Sequence, residues 1–457
     1  MSFIAEKDSI VYPKVTVDGK SVVSARIVNQ VNEISTATVY LKPEDLESFT
    51  PNQEVTINIS GATGAGPIFT GLVSSVNFSN MNGQLTAGID LKHRAKWLDE
   101  ASALIPGMTP GGNYDVETYI YKKKSKIIDG ASGTSLQFDV KKPFPEAICG
   151  DENSGLIGWV NSAGASSTDG FVEADAGEKA KAIGMLQQIK TDSEPFMFLY
   201  DGLNAKVSTY CNNVLNRAGA SSTLWDMLMV ILGAFDCCLI CKPDGKVIMS
   251  PNFCGVKSQG NSVDSSFITK FDLSSLTPRN IKHCRIIGSV GTKCREGNKM
   301  TNHVMGDFSE EGVSSGGSMF MSAPGWINDI HVNVIDKETQ KSALNKLAQC
   351  ILYREKDKDQ TVNLITPVMR VAIPGTCATF IPASSVISFH TGESVAPFSN
   401  TYDGYCYRVE HIMATDTWTT VFHFQTCTSN NKKVSSHPFF PSATQPKWEE
   451  IAPDEDN

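Results

Sequence analysis

Cys238-Leu239-Ile240-Cys241, preceded by Cys237, is a formal C-x-x-C, the spacing of a redox pair or of half a zinc site. No second C-x-x-C completes a zinc set, and alternation along a strand sends residues 238 and 241 to opposite faces. Buried strand cysteines are therefore expected. Gly61-Ala62-Thr63-Gly64-Ala65-Gly66 has the glycine content of a phosphate loop. A P-loop needs Lys and then Ser or Thr after its last Gly, and Pro67-Ile68 follows here, so a hairpin loop is expected. The eight histidines form no H-E-x-x-H, and none lies four residues from another. His411 and His423 fall in adjacent predicted strands, where they read as ordinary strand residues. Glu173, Asp175 and Glu178 could supply a glycosidase carboxylate pair, yet carboxylates in a Gly/Ser-rich stretch are ordinarily solvated. Lys122-Lys123-Lys124-Ser125-Lys126 reads as a solvated basic run. No nucleophile, base and orienting group assemble, so no catalytic, cofactor-binding or metal-binding residue is assigned, no cofactor is expected, and the chain is not read as an enzyme.

The elements that would hold such residues change character along the chain. Val15-Thr16-Val17, the Asp18-Gly19 turn and Val22 to Val28 read as a hairpin. Thr36 to Leu41, Val55 to Ile59, Ile68 to Phe78 and Leu85 to Leu91 add strands with turn signals between them, the pattern of a barrel or sandwich. The stretch from Gly150 to Gly177, rich in Gly, Ser, Ala and Asp, reads as exposed and mobile. Helices are expected over Glu178 to Lys190, Asn204 to Ala218 and from Leu224, with Thr223 as cap, Asp226 three residues on and Gly233 as stop. A hairpin follows: Cys237 to Lys242, the Pro243-Asp244-Gly245 turn, and Lys246 to Ser250. Later come a strand at Ile281 to Gly288, a loop around Ser314 to Ser318, and a helix over Glu338 to Leu352. Strands follow at Thr361 to Ile365, Ala378 to Ile381, Tyr405 to Met413 and Thr419 to Cys427, then an acidic end from Pro446.

The length of 457 residues suits roughly three domains at about 150 residues each. Forty Lys plus Arg against 49 Asp plus Glu give a net charge of −9, which argues against a protein that grips nucleic-acid phosphates. The first residues are charged where a signal peptide would be apolar. Between Asp226 and Asp236 only nine uncharged residues run together, so no membrane insertion is expected. Twelve scattered cysteines fit synthesis in a reducing cytoplasm.

The order of segments is more informative than any one of them. Ile68-Phe69-Thr70-Gly71-Leu72-Val73-Ser74-Ser75-Val76 comes early, then a strand ending near Leu91 and Leu98. Leu224-Trp225-Asp226-Met227-Leu228 precedes Leu239-Ile240-Cys241-Lys242-Pro243-Asp244-Gly245-Lys246-Val247-Ile248. The 338–352 helix leads into Thr361-Val362-Asn363-Leu364, Pro374-Gly375-Thr376, Tyr407-Arg408-Val409-Glu410-His411-Ile412 and Trp418-Thr419-Thr420-Val421-Phe422. This order resembles the baseplate hub proteins of contractile-tailed bacteriophages, the late-control and tail-hub family, to which type VI secretion spikes and R-type pyocin hubs are related.

The resemblance implies a mainly β chain with an α+β insertion. Residues 1–105 and 266–430 would be two tail-tube-like β-barrel domains, the second carrying helix 338–352. Residues 106–265 would be the inserted domain with its mobile 150–177 segment, and 431–457 an acidic tail. It also implies a homotrimer whose six barrels form a ring between a six-fold tail tube protein and a three-fold spike or central tip protein, at the baseplate of a virion tail. DNA would pass transiently through the lumen, and a tape-measure protein is a further partner. Three chains would carry −27, three times −9, and where those charges line the lumen they would repel DNA from the wall. Phe439, Phe440 and Trp448 among prolines read either as a linear peptide for a neighbouring protein or as part of a plainly disordered tail. The rival functions are a tail-associated peptidoglycan-degrading enzyme, with its module in 106–265, and a spike or hub of a type VI system or pyocin.

Overall fold

The computed structural model describes residues 14–61, 64–81, 84–100, 143–152, 155–163, 176–194, 197, 223–252, 262–263, 268, 270–275, 281–289, 303–309, 317–322, 337–356, 360–367, 386–390, 392, 400–414, 417–429 and 437–441. Its first region holds strands β1 (Lys14–Val17), β2 (Lys20–Ser21), β3 (Ser24–Gln30), β4 (Thr36–Leu41), β5 (Glu54–Gly61), β6 (Gly64–Met81) and β7 (Gln84–His93). The Asp18-Gly19 turn closes the first hairpin, with positive φ at both residues (45° and 80°), the twist that suits two-residue hairpins. Apolar residues at every second position then feed one core, in which Val17, Ile27, Val39, Ile57, Phe69, Val73 and Ile89 are buried together. A sheet whose first and last strands share one core has to curl around it.

β6 is the strand that turns the corner. Its first half pairs with β5 and its second half with β7, and Gly71 is opposite both Val55 and His93 at the handover. The Gly61–Pro67 stretch is absorbed here. Ile59 pairs with Gly66 and Gly61 with Gly64, so the expected loop shrinks to the tip of the hairpin.

The middle region begins with α1 (Lys96–Glu100), α2 (Phe144–Cys149), α3 (Gly155–Ala163), α4 (Ala176–Ser193) and α5 (Leu224–Ala234), followed by β8 (Cys237–Cys241) and β9 (Val247–Pro251). α5 starts as its sequence predicts. The Thr223 hydroxyl accepts from the Asp226 amide at 3.1 Å, and the Thr223 amide donates back to the Asp226 carboxylate at 3.3 Å. α3 corrects the expectation of a mobile 150–177 segment: Leu156 and Ile157 are buried on a helix inside it. Residues 164–175 and the expected 204–218 helix lie outside the described residues.

The last region holds β10 (Ser262–Val263), β11 (Lys270–Ser275), β12 (Ile281–Ser289), β13 (His303–Ser309), β14 (Gly317–Ser322), α6 (Lys337–Lys356), β15 (Gln360–Pro367), β16 (Val386–His390), β17 (Thr401–Ala414) and β18 (Thr417–Ser429). The Gly/Ser stretch expected as loop is strand β14 from Gly317 on. The expected strand Ala378 to Ile381 lies outside the described residues. β12, β13 and β14 form a small sheet, and β8 pairs with β9. Thirteen strands form the large sheet, whose main path runs β11-β15-β18-β17-β3-β4-β7-β6-β5-β1-β2.

The fold is thus mainly β with helices in the middle. The β regions from the two ends of the chain are joined into one sheet, and among the described residues its strand order is an open path rather than two closed barrels. The helical core draws on every expected unit: Trp97 and Leu98, the middle helices, Cys284 and Ile286 of β12, Leu344 to Leu352 of α6, and Phe439 with Phe440. Helix α6 packs on β12 and β13 of the small sheet, and its apolar face is continuous with the helical core. Among the described residues, no helix is long and apolar enough to cross a membrane.

Candidate assembly surface

The residues singled out for chemistry are kept apart. In β8, Cys238 sits with Ile240 and Ile248 in one small cluster, while Cys237 and Cys241 face the large helical core. The two ends of the C-x-x-C thus point to opposite sides. Burial pushes the Cys241 thiol up to about 11 despite the nearby Ser35, so it stays protonated. His411 and His423 are not opposite each other. His411 pairs with Thr420, and its Nδ1 lies 2.8 Å from the Thr420 hydroxyl in the interior. His423 pairs with Arg408. Glu173, Asp175 and Lys122 to Lys126 lie outside the described residues; Glu178 belongs to α4.

Two surfaces remain that a partner could use. The first is the outer half of the β6–β7 hairpin. β5 stops pairing with β6 at Leu72, and β4 stops pairing with β7 at Ala87. Beyond those points Ser79 to Met81 and Gln84 to Thr86 pair only with each other. Direct partners across a ladder share a face, and the pairs Val76–Ile89, Phe78–Ala87 and Asn80–Leu85 put Val76, Phe78 and Leu85 on the core face. That face is fully buried at Ile89 and Ala87, yet Phe78 is 58% and Leu85 49% exposed. The apolar stripe runs out from under its own core into solvent. The opposite face is polar: Asn77 and Ser75 donate to the Asp90 carboxylate at 2.7 and 2.8 Å, and Ser79 and Thr86 hydroxyls bond across the ladder. Burial raises the Asp90 pKa, but hydrogen bonds from Ser75, Thr38 and Asn77 outweigh it and hold the carboxyl below its usual range.

The second is the seam between β3 and β17, where Ser24 to Gln30 pair with Ala414 to Arg408. On its outer face Glu410 is nearly buried and accepts from Arg26 at 2.9 Å, while Arg408 closes on its other oxygen. Ile412, 45% exposed, flanks this cluster beside Arg26. Burial would raise the Glu410 pKa, but the Arg26 hydrogen bond and the Arg408 and Arg26 charges hold it below the usual carboxylate value.

A third set of contacts ties the sheet to the middle region. His93 Nδ1 accepts from the Ala95 amide at 3.1 Å, which leaves the proton on Nε2, 3.1 Å from the Lys242 carbonyl oxygen. Asn32, with positive φ, donates its amide to Leu239 and accepts the Leu239 amide on its side chain, both at 2.9 Å. The His93–Lys242 and Asn32–Leu239 pairings have no sequence signal, since each joins segments distant in the chain.

No protein-family model matches the chain, and no curated relative matches it. Among solved structures it is similar to a tail protein from Neisseria meningitidis MC58, at 11% identity and a TM-score of 0.45, over 95% of this chain and 99% of the other. It is also similar to the 43 kDa tail protein of prophage MuSo2 from Shewanella oneidensis, at 10% identity and a TM-score of 0.47, over 91% and 98% of the two chains. A third is E. coli c3393, described as a type VI secretion component similar to T4 tail proteins gp27 and gp5. There the identity is 8% and the TM-score 0.33, over 95% and 80%.

Proposed function

We propose that this chain is a structural component of a phage-type tail baseplate, a hub that works by assembly rather than catalysis. The observation that carries the proposal is the β6–β7 arm, an apolar stripe continuous with the core that leaves its own sheet with Phe78 and Leu85 uncovered. Edge and hairpin surfaces of this kind are what ring-forming subunits bury against neighbours. The order of segments across the chain supports the same reading. In it, residues 1–105 and 266–430 supply the β wall, 106–265 is an insertion beside it, and three chains make a ring in a virion tail. The ring joins a tail tube protein to a spike or tip protein and leaves a channel for DNA.

Native mass spectrometry of the full chain tests this. The expected species is a trimer near 148.5 kDa, three times the 49.5 kDa chain. Phe78→Ser combined with Leu85→Ser should weaken association by about tenfold or more, the loss of one or two interface anchors. The same variant should leave the melting temperature of the monomer unchanged. A chain that stays monomeric, alone and when mixed with the tube and spike proteins encoded beside it, overturns the reading.

A further inference from the structure

Three residues from distant parts of the chain meet inside the helical core. Asp236 follows α5, Cys350 lies on α6, and His437 opens the short strap that ends at residue 441. One carboxylate oxygen, one thiol sulfur and one imidazole nitrogen lie within 4.8 Å of one another, and all three residues are buried. We propose that Asp236, Cys350 and His437 form a buried structural site for a divalent zinc-class ion.

The donor set selects the metal. A thiolate beside an imidazole and a carboxylate suits zinc, whereas calcium and magnesium take oxygen ligands. The fixed surroundings resemble a ligand shell. Asn252 donates its side-chain amide to Asp236 Oδ1 at 3.1 Å and its backbone amide to the Asp236 carbonyl at 2.9 Å. Asp236 Oδ2 lies 3.9 Å from His437 Nε2, a span that two ligands of one ion can occupy. Asp236 is also a non-glycine residue at positive φ (53°), a conformation that costs energy unless the surroundings hold it. Cys237 adjoins the group, with its thiol 3.4 Å from the Phe235 carbonyl oxygen and close enough to Asp236 and Cys350 to feel both. Its thiol is the adjoining candidate for a fourth ligand. Phe235 and Phe439, in edge contact at 5.3 Å, help bury the group, so the ion ties segments together rather than meeting a substrate.

Loading moves two protons. Cys350 gives its thiol proton to solvent. His437 Nδ1 accepts the amides of Phe439 and Phe440 at 3.2 and 3.3 Å, and Nε2 faces the Asp236 carbonyl at 3.1 Å, so the metal-free imidazole carries its proton on Nε2. To ligate, Nε2 passes that proton to Nδ1, the two long amide contacts are given up, and the strap shifts. Binding therefore releases one proton per ion and weakens as pH falls.

The full chain is expressed with zinc in the medium, dialysed, and its metal content measured. About one zinc per chain is expected, and stripping with a chelator should lower the melting temperature until zinc is restored. Cobalt in place of zinc should give a thiolate-to-metal absorption band. Cys350→Ser should abolish that band and cut zinc affinity by tenfold or more, while Cys149→Ser, a buried thiol on α2, leaves both unchanged. Because Cys350→Ser replaces one atom, it tests the site even where a His437 variant fails to fold. Failure of the wild-type chain to retain zinc or show the cobalt band after incubation with excess metal overturns the proposal. So does equal zinc binding by Cys350→Ser.

Discussion

Gly71 lies so close to the Lys92 carbonyl that no side chain fits between them. A methyl group on Gly71 would lie 2.4 Å from the Lys92 carbonyl oxygen and 2.7 Å from Phe69 Cε1. The first obstacle is backbone in a central ladder and cannot rotate away. This is the point where β6 passes from β5 to β7.

Gly71→Ala is therefore expected to cost about 1–3 kcal/mol by forcing the two strands apart. Urea denaturation checks it, and a variant as stable as the parent would show that the corner yields.

The strap at residues 437–441 corrects the expectation of a peptide that docks on a neighbouring protein. Phe440 is buried against Phe144 at 5.2 Å, and Phe439 against Phe235. Phe440→Ala should cost about 3–5 kcal/mol, and truncation after residue 435 should lower the melting temperature of the chain itself. Trp448 lies outside the described residues.

Glu410→Ala should destabilise by about 1–2 kcal/mol, less than for a fully buried pair because the Arg26 side chain is 57% exposed. Since the Glu410 pKa is held down, its contribution is complete above about pH 4.5 and fades as pH falls through the folded value. Comparing the variant and parent at pH 7 and pH 3.5 checks both statements: the difference should shrink in acid.

His93 gives the acid response a second, higher window. Burial pushes its pKa down to about 4, with Arg94 adding to the fall and the Lys242 hydrogen bond opposing it. An unfolded histidine takes up its proton near pH 6.5, so its contribution is whole above that and is lost as pH drops toward 4, about 3 kcal/mol in all. His411, pushed down to about 3 by burial, adds to the same trend. Melting temperatures between pH 7 and pH 5 should fall, and His93→Gln should flatten the slope.

What was legible in the sequence is what neighbouring residues decide. The Thr223–Asp226 cap, the Asp18-Gly19 turn and the opposite facing of Cys238 and Cys241 each depend on a few adjacent positions. α3 was not legible, because its Gly/Ser-rich sequence lacks a local helix signal and its helix is held by Leu156 and Ile157 packing in the core. The full extent of β6 was hidden by the glycines at 64 and 66, which pair in the ladder despite their turn-like composition. The β3–β17 seam and the Asp236–Cys350–His437 group had no signal at all, and the strap's aromatics did not show that their partners lie in this chain. Their partners are set by long-range register, which alternation along one strand cannot reveal.

Arg26 and Glu410 are 384 positions apart, and the seam they bridge cannot form until the second of them has been synthesised. At ribosomal speeds of about 5–20 residues per second, β3 waits roughly 20–80 s for its neighbour. During that interval its edge is open, and the nascent first region is an unfinished surface. The seam is complete only when translation has passed residue 414. The interleaving of early and late strands thus acts as a timer, making the joined sheet a product of the nearly finished chain.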